Sequence, residues 1–167
     1  MGRLVLPEYM VMRDSRDKEG FGWEFKAHKP ERRPPRCLGM EIATLKTGDY
    51  SLKGYTDILA IERKADFSEI WVNYGKRDLF EEEMERMRGI KYKYILIEGQ
   101  LTTDIFNLSP PQFTRGVPGK AIVQWLTSLG VEYDVHIVPV GNTGRQYAQS
   151  IFESVVRKEK DRWIISE

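Results

Sequence analysis

The segment ILAIERK (58–64) constrains the fold more than any other part of the chain. Side chains along a strand alternate between its two faces, and Ile58, Leu59, Ala60 and Ile61 are apolar at both parities. Such a strand needs cover on both sides, which an inner strand between layers of helices provides. Its last three residues, Glu62, Arg63 and Lys64, are charged, as in a strand that runs from a core to an exposed edge. Glu62 and Lys64 share one face, and Arg63 takes the other.

The rest of the chain supplies partners for this strand. YMVMRD (9–14) alternates and reads as a first strand, and MEIATLK (40–46) as a second. Between them, KAHKPERRPPR (26–36) holds three prolines and reads as an irregular basic loop. Gly48 opens a turn into DYSLKGYTD. RDLFEEEMERMRGI (77–90) predicts a helix, with Phe80, Met84 and Met87 on one side and Gly89 as its stop. KYILIEG (93–99) predicts a buried strand, and AIVQWLTSLG (121–130) a helix closed by glycine. In VHIVPVG (135–141), Pro139 marks an edge strand or a bulge. GRQYAQSIFESVVRKEK (144–160) places Ala148, Ile151, Phe152, Val155 and Val156 on one helical face. The order predicts an α/β protein with a central mixed β-sheet flanked by helices. Residues 1–167 read as one domain, a length that can bury a core.

Composition narrows the chemistry. No apolar run approaches the roughly 18–20 residues that span a bilayer, and the N-terminus lacks a signal-peptide pattern. A single cysteine, Cys37, excludes a disulfide framework and a cysteine-rich zinc site within the chain. It points to a reducing, intracellular setting, the cytoplasm or nucleoid. With 26 basic and 25 acidic side chains the net charge is +1, so contact with nucleic acid must come from local patches. Only two histidines are present, which leaves carboxylates and lysine to carry any catalysis.

Asp49, Glu62 and Lys64 form the candidate constellation. The turn at Gly48 and a hairpin return would bring Asp49 back beside Glu62. Two carboxylates at a strand end can hold a hard divalent cation, with water and phosphate oxygens completing the octahedron. Such a cation polarises a phosphodiester and acidifies a bound water. Lys64 can position that water or stabilise charge developing on phosphorus. The spacing alone, an aspartate followed by Glu-x-Lys, also occurs in plain solvated strand ends.

A wider pattern supports the chemistry. The order GDYSLKGYTDILAIERKADF, then RDLFEEEMERMRG, then YKYILIEG resembles the nuclease domain of the XPF/Hef family in the PD-(D/E)XK superfamily. The similarity covers about residues 9–160. It implies a restriction-endonuclease-like fold and a metal-dependent DNA endonuclease using Mg²⁺ or Mn²⁺. It also implies structure-specific cutting of branched, flap or junction DNA in repair or recombination, and a homodimer. By this resemblance Asp49 and Glu62 match the metal-binding acids and Lys64 the catalytic lysine. Arg63 matches the motif arginine, with its backbone carbonyl toward the metal, and Asp17 in RDSRD (13–17) matches a first-motif acid that is usually glutamate. Arg77 matches the arginine that opens the following helix. Ser68 stands where the family carries an aspartate, with Asp66 and Glu69 nearby, and the loop before Arg77 is about one residue longer. No helix-hairpin-helix segment follows. Degenerate family members serve as non-catalytic DNA-binding or scaffold subunits and lose the acids, whereas Asp49, Glu62 and Lys64 are all present here.

Other polar residues read more plainly. Arg16 beside Asp17, together with Arg32, Arg33, Arg63 and Arg77, are candidate DNA contacts, the loop arginines as phosphate ligands. A solvated loop is the equal alternative for 26–36. Asp57 lies on the strand face opposite Glu62 and reads as a turn residue. Glu98 and Cys37 read as structural, His136 as a satisfied core histidine, and Trp125, Tyr147 and Phe152 as core aromatics. Trp23, after Gly20 and Gly22, carries no assignment.

Overall fold

The computed structural model describes residues 7–17, 22–28, 35–100 and 116–163. One six-stranded sheet organises them. Its strands are β1 (Glu8–Asp14), β2 (Arg36–Ala43), β3 (Tyr50–Leu52), β4 (Leu59–Lys64), β5 (Tyr92–Ile97) and β6 (His136–Pro139). They lie in the order β2-β1-β3-β4-β5-β6. β1 runs parallel to β2 and antiparallel to β3, β3 is antiparallel to β4, and β4, β5 and β6 are parallel. The sheet is therefore mixed, with β4 inside it.

Among the described residues four α-helices flank the sheet: α1 (Phe67–Gly75), α2 (Arg77–Met87), α3 (Gly119–Tyr133) and α4 (Gly144–Lys158). They divide the core in two. On one face α4 packs Ala148, Ile151, Phe152, Val155 and Val156 against Val11, Tyr50, Leu59, Ile61 and Leu96. On the other, α1, α2 and α3 pack Ile70, Phe80, Met84 and Ile122 against Ala60, Ile95 and Ile97. β4 thus sends Leu59 and Ile61 one way and Ala60 the other, all at most 1% exposed, as its two-sided apolar pattern requires. Because parity is kept to the strand end, Glu62 and Lys64 emerge under the α1–α2 layer.

The local differences from the sequence pattern have physical causes. β2 begins at Arg36, earlier than the pattern suggests, because the register between Tyr9↔Cys37 and Val11↔Met40 slips by one residue. Gly39, at φ 120°, absorbs that bulge. The turn DYSLKGYTD contains the short strand β3, and α1 was not anticipated. α1 is rich in aromatic and β-branched residues (Phe67, Ile70, Trp71, Val72, Tyr74) and ends in glycine, so propensity hides it. Its cap is readable in retrospect: Asp66 accepts the Glu69 N–H at 3.0 Å. α3 continues through Gly130 to Tyr133 instead of stopping at the glycine. A Cβ at Gly130 would lie 3.3 Å from the Val135 carbonyl, so the glycine serves the close return of β6. Asp134 ends the helix in the left-handed region at φ 51°. β6, with Pro139, is an edge strand. His136 on it is exposed and stacked on Tyr94 at 5.0 Å, not in the core. Tyr147 is likewise exposed at 40%, whereas Trp125 and Phe152 are buried. Among the described residues no helix is long and apolar enough to cross a membrane.

Candidate active site

The Gly48-Asp49 turn is the keystone of the site. Gly48 has φ +75°, and a Cβ there would sit 3.2 Å from the Ile61 carbonyl and 3.3 Å from the Ala60 Cβ. Only glycine lets this turn lie directly on β4. Asp49 then donates its N–H to the Ile61 carbonyl and accepts the Asp14 N–H, each at 2.8 Å. Its Oδ2 accepts the backbone N–H of Arg63 at 2.8 Å. β3 has ended by then, so the carboxylate of Asp49 stands in for the next rung of the β3–β4 ladder. Since N–H and C=O of one strand residue point the same way, the Arg63 carbonyl lies on this side too.

Asp49 and Glu62 line a single cleft of about 390 Å³. Asp14, Arg16, Asp17, Arg63, Glu69, Glu83 and Arg86 contribute to its walls, as do Lys46 and Thr47. Glu62 is 6% exposed and bonds Lys64 Nζ at 2.9 Å. Lys64, 5% exposed, also stands 3.8 Å from Glu69 and 5.3 Å from the centre of the Phe80 ring.

The electrostatics are those of a site with surplus negative charge. Burial, then Asp49, holds Glu62 well above the usual carboxylate range, although Lys64 pulls the other way. Burial, aided by Asp17 and Glu83, pushes Asp49 up to about 6 against the Arg63 N–H and the Lys64 ammonium. Burial opposes the charge on Lys64, but Glu62, with Glu83 and Glu69 behind it, outweighs burial and keeps the ammonium above its ordinary range. Among the described residues no group of three or more His, Cys, Asp and Glu converges as a ready-made ligand cage. Two carboxylates in a polar cleft fit a hard cation that keeps most of its water, the habit of Mg²⁺. They do not fit a closed zinc site.

The opposite face of β4 holds a different network. Arg63 donates to Glu98 Oε2 at 2.5 Å and lies 5.7 Å from the centre of the Trp23 ring. Glu98 Oε1 accepts the Trp23 indole N–H at 2.6 Å. Trp23 stacks on Tyr50 at 5.1 Å and gives its backbone N–H to the Tyr50 hydroxyl at 2.7 Å. That hydroxyl donates to Asp17 at 3.2 Å, and Arg13 Nε reaches the same carboxylate at 3.2 Å.

The residues singled out from sequence are distributed as follows. Asp49, Glu62, Arg63, Asp17 and Arg16 line one cleft, and Lys64 is bonded to Glu62. Asp17 is held by Arg13 and Tyr50. Arg16, with 67% of its side chain exposed, bonds Asp14 at 2.8 Å and the Leu45 carbonyl at 2.8 Å. Arg77 is outside the cleft: its guanidinium lies over the Tyr74 ring at 4.2 Å and donates to the Tyr74 carbonyl. Arg32 and Arg33 lie outside the described residues. Asp57 pairs with Arg162 at 2.7 Å and does not line the cleft.

Sequence reasoning missed Asp14, Lys46, Glu69, Glu83 and Arg86. Asp14, 3% exposed, takes the Leu45 N–H at 2.9 Å and ties β1 to the segment before Gly48. Burial works against its charge, but the bonds from Arg16 and Leu45 hold the carboxyl below its ordinary range. Glu83 and Arg86 are three apart on α2, and that spacing put them on one face of the helix. Which face meets the cleft follows only from how α2 docks.

The sequence matches no protein-family model, and no curated protein is significantly similar to it. Solved structures do match. XPF from Aeropyrum pernix superposes with a TM-score of 0.55 over 90% of this chain, at 18% identity. The fold is that of XPF. A second structure of the Aeropyrum pernix protein, in complex with DNA, gives a TM-score of 0.57 over 95% of this chain, also at 18% identity. The chain spans 65% and 68% of the length of those two XPF chains.

Proposed function

We propose that this protein is a divalent-metal-dependent endonuclease that hydrolyses phosphodiester bonds in DNA, with a preference for branched, flap or junction structures. One observation carries the reading: the half-buried Asp49 and the buried Glu62 line one cleft as mutually repelling carboxylates, with the Lys64 ammonium bonded to Glu62 at 2.9 Å. The XPF-like fold supports it, as does the DNA complex of the Aeropyrum pernix protein.

In this reading Asp49, Glu62 and the Arg63 carbonyl hold Mg²⁺ or Mn²⁺, with Asp17 at the margin of the set. The bound cation supplies Lewis acidity toward the phosphodiester and lowers the pKa of water. The Arg63 N–H fixes the Asp49 carboxylate in one orientation. Lys64, charged and sheltered beneath Phe80, holds the attacking water or meets charge developing on the phosphate oxygens. Arg16 and Arg86 at the rim orient neighbouring phosphates. A homodimer is part of the same proposal, and light scattering measures it.

The test is cleavage of a panel of branched, flapped, single-stranded and linear duplex DNAs with Mg²⁺ or Mn²⁺. Cutting of one class, abolished by chelator and by Glu62→Gln, supports the reading. A wild-type protein that binds the panel and cuts nothing with any divalent metal makes it a scaffold subunit instead.

A further inference from the structure

The cleft presents a problem for any DNA strand that enters it. Six acids line it (Asp14, Asp17, Asp49, Glu62, Glu69 and Glu83) against Arg16, Lys46, Arg63 and Arg86. Of these cations, Arg16 is bonded to Asp14 and Arg63 to Glu98. A bound cation offsets part of the negative charge at the reacting phosphate. It does little for phosphates on either side, which meet the acidic walls at short range. Beyond what Arg86 and Lys46 supply at the rim, affinity has to be drawn from cations placed outside the cleft.

The structure has such a place. A groove of about 470 Å³ lies between residues 24–28 and the first turns of α4. Lys26, His28, Arg145 and Gln149 line it. Among the described residues no acid lies within ion-pair distance of Lys26 or Arg145. Arg145 is steadied by Gln149, whose carbonyl accepts its Nη1 at 3.3 Å and whose amide donates to Glu153 at 3.3 Å. The arginine is thus oriented without being neutralised. The one acid in the lining, Glu24, is turned onto Arg13 at 3.4 Å. The first turn of α4 carries no acidic residue and no side-chain cap, so its N–H groups add positive potential along the same wall.

One side chain bonds to a residue of each hollow. Arg13, 3% exposed, touches Asp17 of the cleft at 3.2 Å and Glu24 of the groove at 3.4 Å. Other hollows lack this character. The larger one along α3 is lined by two acids, Glu81 and Glu132, with Lys120, and the one beneath β6 is mainly apolar.

We propose that the groove holds the phosphodiester backbone of the DNA strand as it leaves the cleft, with Lys26 and Arg145 as its phosphate contacts. This inference rests on the nuclease reading above. It makes one flank of the substrate, and not only the cleavage point, part of the recognised surface.

The experiment measures binding of a fluorescent flap DNA by anisotropy in Ca²⁺ between 50 and 200 mM salt. It compares wild type, Lys26→Ala with Arg145→Ala, and a control pair, Lys158→Ala with Lys160→Ala, which removes the same charge elsewhere. Losing two phosphate contacts lowers the slope of log affinity against log salt by about 2 and weakens binding roughly tenfold at low salt. The control pair binds like wild type. Lys26→Arg with Arg145→Lys keeps both charges and retains most of the affinity, which separates lost contacts from lost folding. Neutral methylphosphonates placed along the flank weaken wild type at one or two positions and leave the double alanine variant unaffected there. Equal affinity and slope in wild type and the double alanine variant, or an equal loss in the control pair, overturns the groove while leaving the nuclease reading intact. A wild type that binds no DNA overturns both.

Discussion

The two faces of β4, side by side over three residues, are built on opposite principles. On the α1–α2 side, Glu62 and Lys64 are buried with one ion pair between them, and Asp49 and Glu83 crowd the same space with further negative charge. On the α4 side, Arg63, Glu98, Trp23 and Tyr50 form a network in which the carboxylate oxygens of Glu98, the indole N–H and the Tyr50 hydroxyl each have a partner, and only Arg63 Nε does not. Burial of a polar group costs free energy unless its bonds are made. On the second face only the Nε of Arg63 falls short of that condition. On the first the bonds are made, but the carboxylates still repel one another, and a bound cation would relieve that repulsion. The alternation of a strand thus lets one short sequence, Glu-Arg-Lys, carry the proposed reactive face and its backing, with the Arg63 backbone bonded to Asp49 between them.

The largest expected effect comes from breaking the reactive face. Lys64→Ala should lower single-turnover cleavage by roughly 10²-fold or more, the loss typical of a preorganised electrostatic group. Glu62→Gln should do the same and also weaken Mn²⁺ binding, whereas Lys64→Ala should retain more of the metal affinity. Cleavage and metal titration on the same preparations check both. Similar cutting by all three proteins would move the chemistry elsewhere.

The backing should respond through stability first. Glu98→Gln removes the charged partner of Arg63 and weakens a half-buried, charge-assisted bond, a loss of about 1.5–3 kcal/mol. For a chain of this size that is a fall in Tm of very roughly 3–12 °C. Cleavage should fall more modestly, with Mn²⁺ affinity close to wild type. Thermal denaturation and metal titration separate the two responses. A variant with full stability and no metal binding would make Glu98 part of the cleft instead.

A third prediction has the opposite sign. Folding raises the Asp49 pKa from an ordinary 3.8 to about 6, chiefly by burial. The folded state therefore holds a proton that the unfolded chain has already released, and stability falls as pH rises through that window. Below it Asp49 imposes no cost, and above it the full cost applies. Asp49→Asn, which can still accept the Arg63 N–H, should thus stabilise the metal-free protein at pH 7.5 by on the order of 1–3 kcal/mol and raise its Tm accordingly. Near pH 4 the gain should vanish. An equal gain at both pH values would show that charge is not its cause. The smallest effect belongs to Asp57→Asn. Its partner Arg162 is bonded at 2.7 Å, but the aspartate side chain is 64% exposed. Such a pair contributes about 0–1 kcal/mol, so its Tm should barely move.

The contrast also explains what was legible in the sequence. β4 could be read because its requirement is local: apolar at both parities, then charged. Gly48 and Asp49 could be read as a turn, and the backbone shows why the glycine is needed there. The backing network could not be read, since Trp23, Glu98 and Arg63 are brought together from three separate segments. α1 was masked by its aromatic and β-branched content, and β3, at three residues, is too short for a periodicity. Glu69, Glu83 and Arg86 reach the cleft only through the docking of α1 and α2. Arg77 shows the converse. Its place at the head of a helix is apparent in the sequence, but its side chain lies over Tyr74 and away from the cleft.

Calorimetric titration of Mn²⁺ into the metal-free protein addresses the central claim, that the Asp49–Glu62 face is built to receive a cation. Wild type, Asp49→Asn and Glu62→Gln would be compared at pH 7.5 and at pH 5.5. Wild type should bind at pH 7.5, where Asp49 is already ionised. It should bind more weakly at pH 5.5, below the value of about 6 for Asp49, and there with release of protons, because that carboxyl must ionise as the ion enters. Each variant should lose the site at both pH values while remaining folded. Mn²⁺ binding that is the same in wild type and both variants, or that is indifferent to pH across this range, would contradict the account.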